Sequence, residues 1–245
     1  MIELLTRGLR MSVLLGLVSS GVAMAETWHN DLIPPEWGQL WQPQLPAKER
    51  HPSLLFDESD RQRMRERLSQ PPTDAWWKSF RSSGYRCAPA LEWWLVGDEA
   101  AARRAREDLL AQPIWREAEH GYLEPSSHRF ADYVLAYDVL AAWDGLSPED
   151  HRALRARIAA EAEYYYRVMD GVTGGANYGN QRTLGTSALG MAALTLCEYR
   201  EGSLLPSQWL TRALYQTRRE ENWWFFRPDG LFVEGLGYSQ YMGCL

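Results

Sequence analysis

The sequence predicts an all-α fold. Three features point to it: helix start and stop signals recur along the chain, apolar residues keep helical spacing, and no pair of segments alternates as paired strands do. A further pattern concerns layering. Stretches apolar nearly all round (128–143 and 183–197) stand next to two-faced ones (148–169 and 208–226). A helix apolar on every side needs other helices outside it. The alternation therefore predicts a double layer of helical hairpins, an inner ring inside an outer one. No repeat of 34 or about 40 residues is visible, which argues against a regular solenoid.

Taken in order, Met1–Ala25 reads as a secretory signal peptide. Arg7 and Arg10 supply its positive region, Met11–Val22 its apolar region, and Ala23-Met24-Ala25 the cleavage site. The mature chain then starts at Glu26 in the periplasm or outside the cell, with no membrane span. Residues 26–50, rich in Pro and Trp, read as an extended lead-in. Asp57 is expected to cap a helix through Leu68 whose Arg-rich face is solvated. After Pro71-Pro72, Thr73 caps a helix bearing Trp76, Trp77 and Phe80. Ala88–Val96 is a helix stopped by Gly97, and Asp98 caps the next, through about Ala111. Ser127 opens an apolar helix through Trp143, closed by Gly145. Ser147-Pro148-Glu149-Asp150 joins a cap, a first-turn proline and first-turn acids, and starts a two-faced helix to about Met169.

From Thr183 to Cys197 no residue is charged, so this helix should be buried; Gly185 and Gly190 would let neighbouring backbones come close. Its mouth carries Asn177, Asn180 and Gln181. A capped core helix accounts for them; so does a site for an anion, which the free N–H groups and dipole of a helix start favour. A last helix begins at Pro206-Ser207. The tail DGLFVEGLGYSQY sets glycines around Glu234 and Tyr238, which lets the backbone hold side chains in a cleft.

Composition narrows the function. The chain has 245 residues, 45% hydrophobic and 12% aromatic, with 12 Trp and 12 Tyr, ample for a core and for stacking on sugars. Its formal charge of −6, or −7 once Glu3, Arg7 and Arg10 leave with the signal peptide, disfavours nucleic acid as a partner. Three cysteines make no disulfide framework, and five scattered histidines give no metal spacing, so no cofactor is expected.

Five blocks, in order, resemble the heparinase II/III-like family of polysaccharide lyases in its N-terminal (α/α) toroid domain. They are HPSLLFDESDRQRMRERL, LEWWLVGDEAAARRAREDLL, FADYVLAYDVLAAWDGLSPEDHRALRARI, GNQRTLGTSALGMAAL and PDGLFVEGLGYSQY, which together span most of 50–241. The resemblance implies an incomplete toroid over 51–245, with the family's downstream β-sheet domain missing from this chain. It also implies β-elimination on a uronate-containing glycan. By match, Asn180 neutralises the uronate carboxylate and Tyr238 acts as base, acid or both. Gln181 stands where the family often has a histidine, which leaves the neutral-base role of that histidine without a holder. Tyr241 is a second candidate phenol, Glu234 an orienting group, and His128 and Arg129 possible cleft residues, Arg129 as a carboxylate clamp. Packing explains Tyr238 and Tyr241 too, and His128 is equally a cap or a surface residue. The expected partner is an acidic polysaccharide. The absence of a concentrated basic stripe favours an unsulfated, alginate-like polymer over heparin. The alternatives are a glycoside hydrolase on the same scaffold, with Glu234 as acid and Asp229 as base, or a non-catalytic glycan-binding domain.

Overall fold

The computed structural model describes the backbone of residues 44–111, 124–168 and 180–223, and the side chains of 44–111, 127–167 and 184–215. All belong to the compact unit Gln44–Leu245. Eight helices, and no strand, occur among the described residues: α1 (Arg61–Arg67), α2 (Thr73–Arg81), α3 (Cys87–Val96), α4 (Glu99–Ala111), α5 (Glu124–Leu140), α6 (Pro148–Val168), α7 (Asn180–Thr195) and α8 (Pro206–Trp223). None of them is long and apolar enough to cross a membrane.

Local chemistry sets several boundaries. Gly97 takes φ +83°, a left-handed conformation that ends α3 at low steric cost. Asp98 Oδ1 accepts the N–H of Ala100 and Ala101 and so starts α4. At α6, Ser147 and Asp150 cap each other: Ser147 Oγ accepts from Asp150 N at 3.1 Å, and Asp150 Oδ2 accepts from Ser147 N at 2.9 Å. A bidentate bond from Arg106 across to Asp150 holds its carboxyl down at about 2 and ties α4 to α6. Because an added Cβ at Gly97 would meet no atom within 4 Å, Gly97→Ala isolates the backbone term. It should lower stability by about 1 kcal/mol in a urea melt.

Three expectations need correction. Asp57 does not cap α1; it folds back on Ser59 N and Oγ in a local turn, and the helix starts three residues later after Asp60. Thr73 is the first helical residue of α2 and not its cap, which is Pro72. The apolar helix ends at Leu140 and not beside Gly145, because Ala141–Trp143 turn away toward Glu99.

Packing follows two rows. α3 lies against α5 and α5 against α7, while α4, α6 and α8 sit on that row and touch one another in order. The first row runs parallel. At its start α3 donates Arg86 N and Cys87 N to Asp132 of α5. At the far end, Trp93 of α3 and Trp143 just past α5 both donate to Glu99. Glu198, just beyond α7, meets Glu49, which also grips Arg155 in the early turns of α6. Ser127 near the start of α5 meets Tyr165 near the end of α6. So α6 runs against α5 and α7, and the first turns of α3, α5 and α7 share one end.

The core lies between the rows. Trp94, Phe130, Tyr137, Ile158, Tyr165, Leu189 and Trp209 are among its fully buried members. Each such large apolar side chain stabilises by roughly 1.5–3 kcal/mol. α7 is buried as its sequence implies, except for a narrow exposed stripe through Ser187 and Leu194, seven residues apart. A Cβ at Gly190 would meet Ala213 of α8 at 3.5 Å, an ordinary contact, so the two helices pack closely without requiring glycine there.

Candidate functional site

A cleft of about 600 Å³ opens at the end where α3 and α5 begin. Its walls come from the end of α2, the 83–86 turn, the first residues of α3, one face of α4 and the early turns of α5. Gly84, at φ +80°, lets the chain turn sharply between α2 and α3. Asp132 then accepts two N–H groups at the start of α3, from Arg86 (2.7 Å) and Cys87 (3.0 Å), a cap supplied by the neighbouring helix.

Four arginines line this cleft (Arg81, Arg86, Arg104 and Arg129) along with His128, against the carboxylates of Glu92, Asp108 and Asp132. Both oxygens of Asp132 serve backbone N–H groups. Glu92 stands between two arginines, at 2.9 Å from Arg81 and 3.2 Å from Arg104. Tyr85 is exposed in the cleft and closes a row of rings: Trp77 stacks with Phe80 at 5.9 Å, and Phe80 with Tyr85 at 6.0 Å. Burial, with Asp132 alongside, pushes the Cys87 thiol well above its ordinary range. It stays protonated, so it is not the cleft's nucleophile.

Of the residues expected from sequence, His128 and Arg129 both line the cleft, His128 exposed and Arg129 half-buried. Asn180 and Gln181 are the first two residues of α7, whose start lies at the same end; only their backbone is described. Asn177, Glu234, Tyr238 and Tyr241 lie outside the described residues, as does Asp229.

A second polar cluster, unanticipated from sequence, lies at the opposite end. Asp138 is fully buried in α5. Its Oδ1 accepts from His51 Nδ1 at 2.9 Å, and its Oδ2 from Ser53 N at 2.9 Å and Leu54 N at 3.1 Å. Glu49 binds both guanidinium nitrogens of Arg155, one at 3.0 Å, and exchanges bonds with Glu198: Glu198 N donates to Glu49 Oε1, and Glu49 N to Glu198 Oε2. Burial opposes the charge on Glu49, yet His51, Arg155 and the Glu198 N–H hold its carboxyl down at about 2. Burial likewise opposes charge on His51, but bonds to Asp138 and Glu49 outweigh it and raise its pKa. Tyr137 meets His151 Nδ1 at 3.2 Å, and burial lifts its phenol to about 12.

An aspartate bonded to a histidine suggests a catalytic relay, but the geometry argues otherwise. The other ring nitrogen of His51 faces Glu49 Oε2 at 3.8 Å, so both nitrogens look at carboxylates. Both carboxylates favour the charged form of the ring and raise its pKa. The cluster is a latch that fastens 49–54 onto α5, α6 and the end of α7.

The latch has a pH signature. A raised folded pKa means that the contribution of His51 is complete below about pH 6.5 and fades as pH rises through the folded value. Burial lowers the pKa of His151, so its contribution changes in the opposite sense, on the acid side. Thermal melts should therefore show stability falling above pH 6.5, with a slope that His51→Gln flattens. An unchanged slope in that variant would show that His51 does not carry it.

Comparison with family models, curated proteins and solved structures gives no match.

Proposed function

We propose that the chain is the helical part of an exported polysaccharide lyase, its two rows forming part of an (α/α) toroid, which cleaves a uronate-containing glycan by β-elimination. The observation that carries this reading is the cleft lined by Arg81, Arg86, Arg104 and Arg129 where α3 begins beside the early turns of α5. An acidic sugar suits that setting, since guanidinium groups favour a carboxylate. The order of the five family-like blocks agrees with it.

In this proposal the Asn180 amide donates to the uronate carboxylate. That offsets the charge that grows as the C5 proton leaves. The Tyr238 phenolate takes the proton: the C5–H bond breaks, C4=C5 forms and the C4–O bond breaks. The phenol then gives the proton to the departing oxygen. Positive charge nearby is what would bring a phenol into its basic form. Arg129 clamps the carboxylate or the next sugar acid, with His128 beside it, while Gln181 and Asn177 fill out the mouth of α7. Glu234 orients the tail, and Tyr241 is the second candidate phenol.

The test is direct. Incubated with unsulfated polyuronates, the chain should release an unsaturated uronate with new ultraviolet absorbance. Cleavage without that absorbance would mean hydrolysis, and binding without cleavage a glycan-binding domain.

A further inference from the structure

We propose that Glu92 sets the charge the cleft accepts, making the Arg81–Arg104 pair and the Tyr85 ring a subsite for an unsulfated, carboxylate-bearing sugar. This rests on the reading of the cleft as a groove for an acidic glycan.

Arg81 ends α2 and Arg104 lies on α4; Glu92 of α3 joins them, one oxygen to each. Glu92 is mostly covered, its side chain 17% exposed, while the two arginines are 42% and 54% exposed. Each guanidinium has five N–H donors, and a single bond to Glu92 uses one. The arrangement therefore presents donors outward while one of its two positive charges is cancelled. A net charge of one matches a single carboxylate and undermatches a sugar bearing several sulfates. Asp108, also in the lining, weights the balance further against a dense polyanion.

The apolar half of the subsite is the ring row. Trp77, Phe80 and Tyr85 brace one another, and the guanidinium of Arg81 lies 5.7 Å from the Trp77 ring centre. Arg81 is thus steadied by Glu92 on one side and Trp77 on the other. Tyr85, 56% exposed at the end of the row, offers a supported face to the C–H side of a pyranose.

The experiment measures binding by calorimetry in a Tyr238→Phe background, which prevents consumption of the probes. These are an unsulfated uronate tetrasaccharide and a heparin tetrasaccharide. The parent should prefer the unsulfated probe, and Glu92→Gln should shift the ratio about tenfold toward heparin, the effect of one net charge in a half-exposed cleft. Tyr85→Ala should weaken both by about threefold to tenfold. Should Glu92→Gln fail to fold, Arg104→Gln on the surface of α4 should move the ratio the opposite way. A ratio that neither variant moves, or a parent that prefers heparin or binds neither probe, overturns the proposal. Unsaturated product from the wild-type chain with an unmoved ratio overturns this subsite alone. The shifted ratio without any product overturns the lyase reading and leaves the subsite standing.

Discussion

Asp138→Ala should lower the free energy of unfolding by about 3–5 kcal/mol, the range for stripping one partner from a buried charge pair. Asp138 is fully buried and accepts three hydrogen bonds. Its loss leaves the N–H groups of Ser53 and Leu54 and the Nδ1 of His51 without an acceptor. Segment 49–54 then loses its hold on α5, although Glu49 still grips Arg155 on α6. Urea unfolding would show a lower midpoint. Asp138→Asn, which keeps one carbonyl acceptor, should fall between the two. A loss under about 1 kcal/mol for Asp138→Ala would mean that water replaces the carboxylate there.

The second large effect is chemical. Under the lyase proposal, Tyr238→Phe removes the group that takes and returns the proton, and product formation should fall about 10²–10⁴-fold. Asn180→Ala removes the donor facing the growing charge and should cost about 10²–10³-fold in turnover. Initial rates of ultraviolet absorbance at saturating substrate measure both. Circular dichroism melts matching the parent separate lost chemistry from lost fold. Full activity in Tyr238→Phe with Tyr241→Phe inactive would move the role to Tyr241; full activity in both would remove the phenol from the mechanism.

What the sequence made legible follows from the range of each interaction. Gly97, Asp98 and the Ser147–Asp150 pair act within four residues, and the structure has them in the roles their spacing implies. The apolar run in α7 is buried because a helix without charge has no other stable place. Asp57 misled because a local turn to Ser59 competed with capping, a choice decided by geometry and not by residue type. Asp132 and Asp138 both cap backbone N–H groups far away in sequence, which no local pattern reveals. One signal was present: two carboxylates within the apolar run 130–140 must find partners. Glu163 repeats the device, holding the N–H groups of Ser203 and Leu204 between α7 and α8. In the cleft, His128 and Arg129 were legible as helical, although the helix opens at Glu124 and not at Ser127. Arg81, Glu92 and Arg104 looked like ordinary surface charge on three separate helices until packing brought them together.

The bonds between Glu49 and Glu198 span 149 residues, and their neighbours to Arg155 and Asp138 span 106 and 84–87. During synthesis, the segment carrying Glu49 leaves the ribosome long before its last partner exists. At about 5–20 residues per second the wait is on the order of ten seconds. Asp138 and Arg155 emerge earlier in that wait, but closing so wide a loop is slow. Maturation of this unit is therefore gated from its far side: nascent chains halted ahead of residue 138 should leave residues 44–56 open to protease, and chains that expose Asp138, Arg155 and Glu198 should protect them in steps.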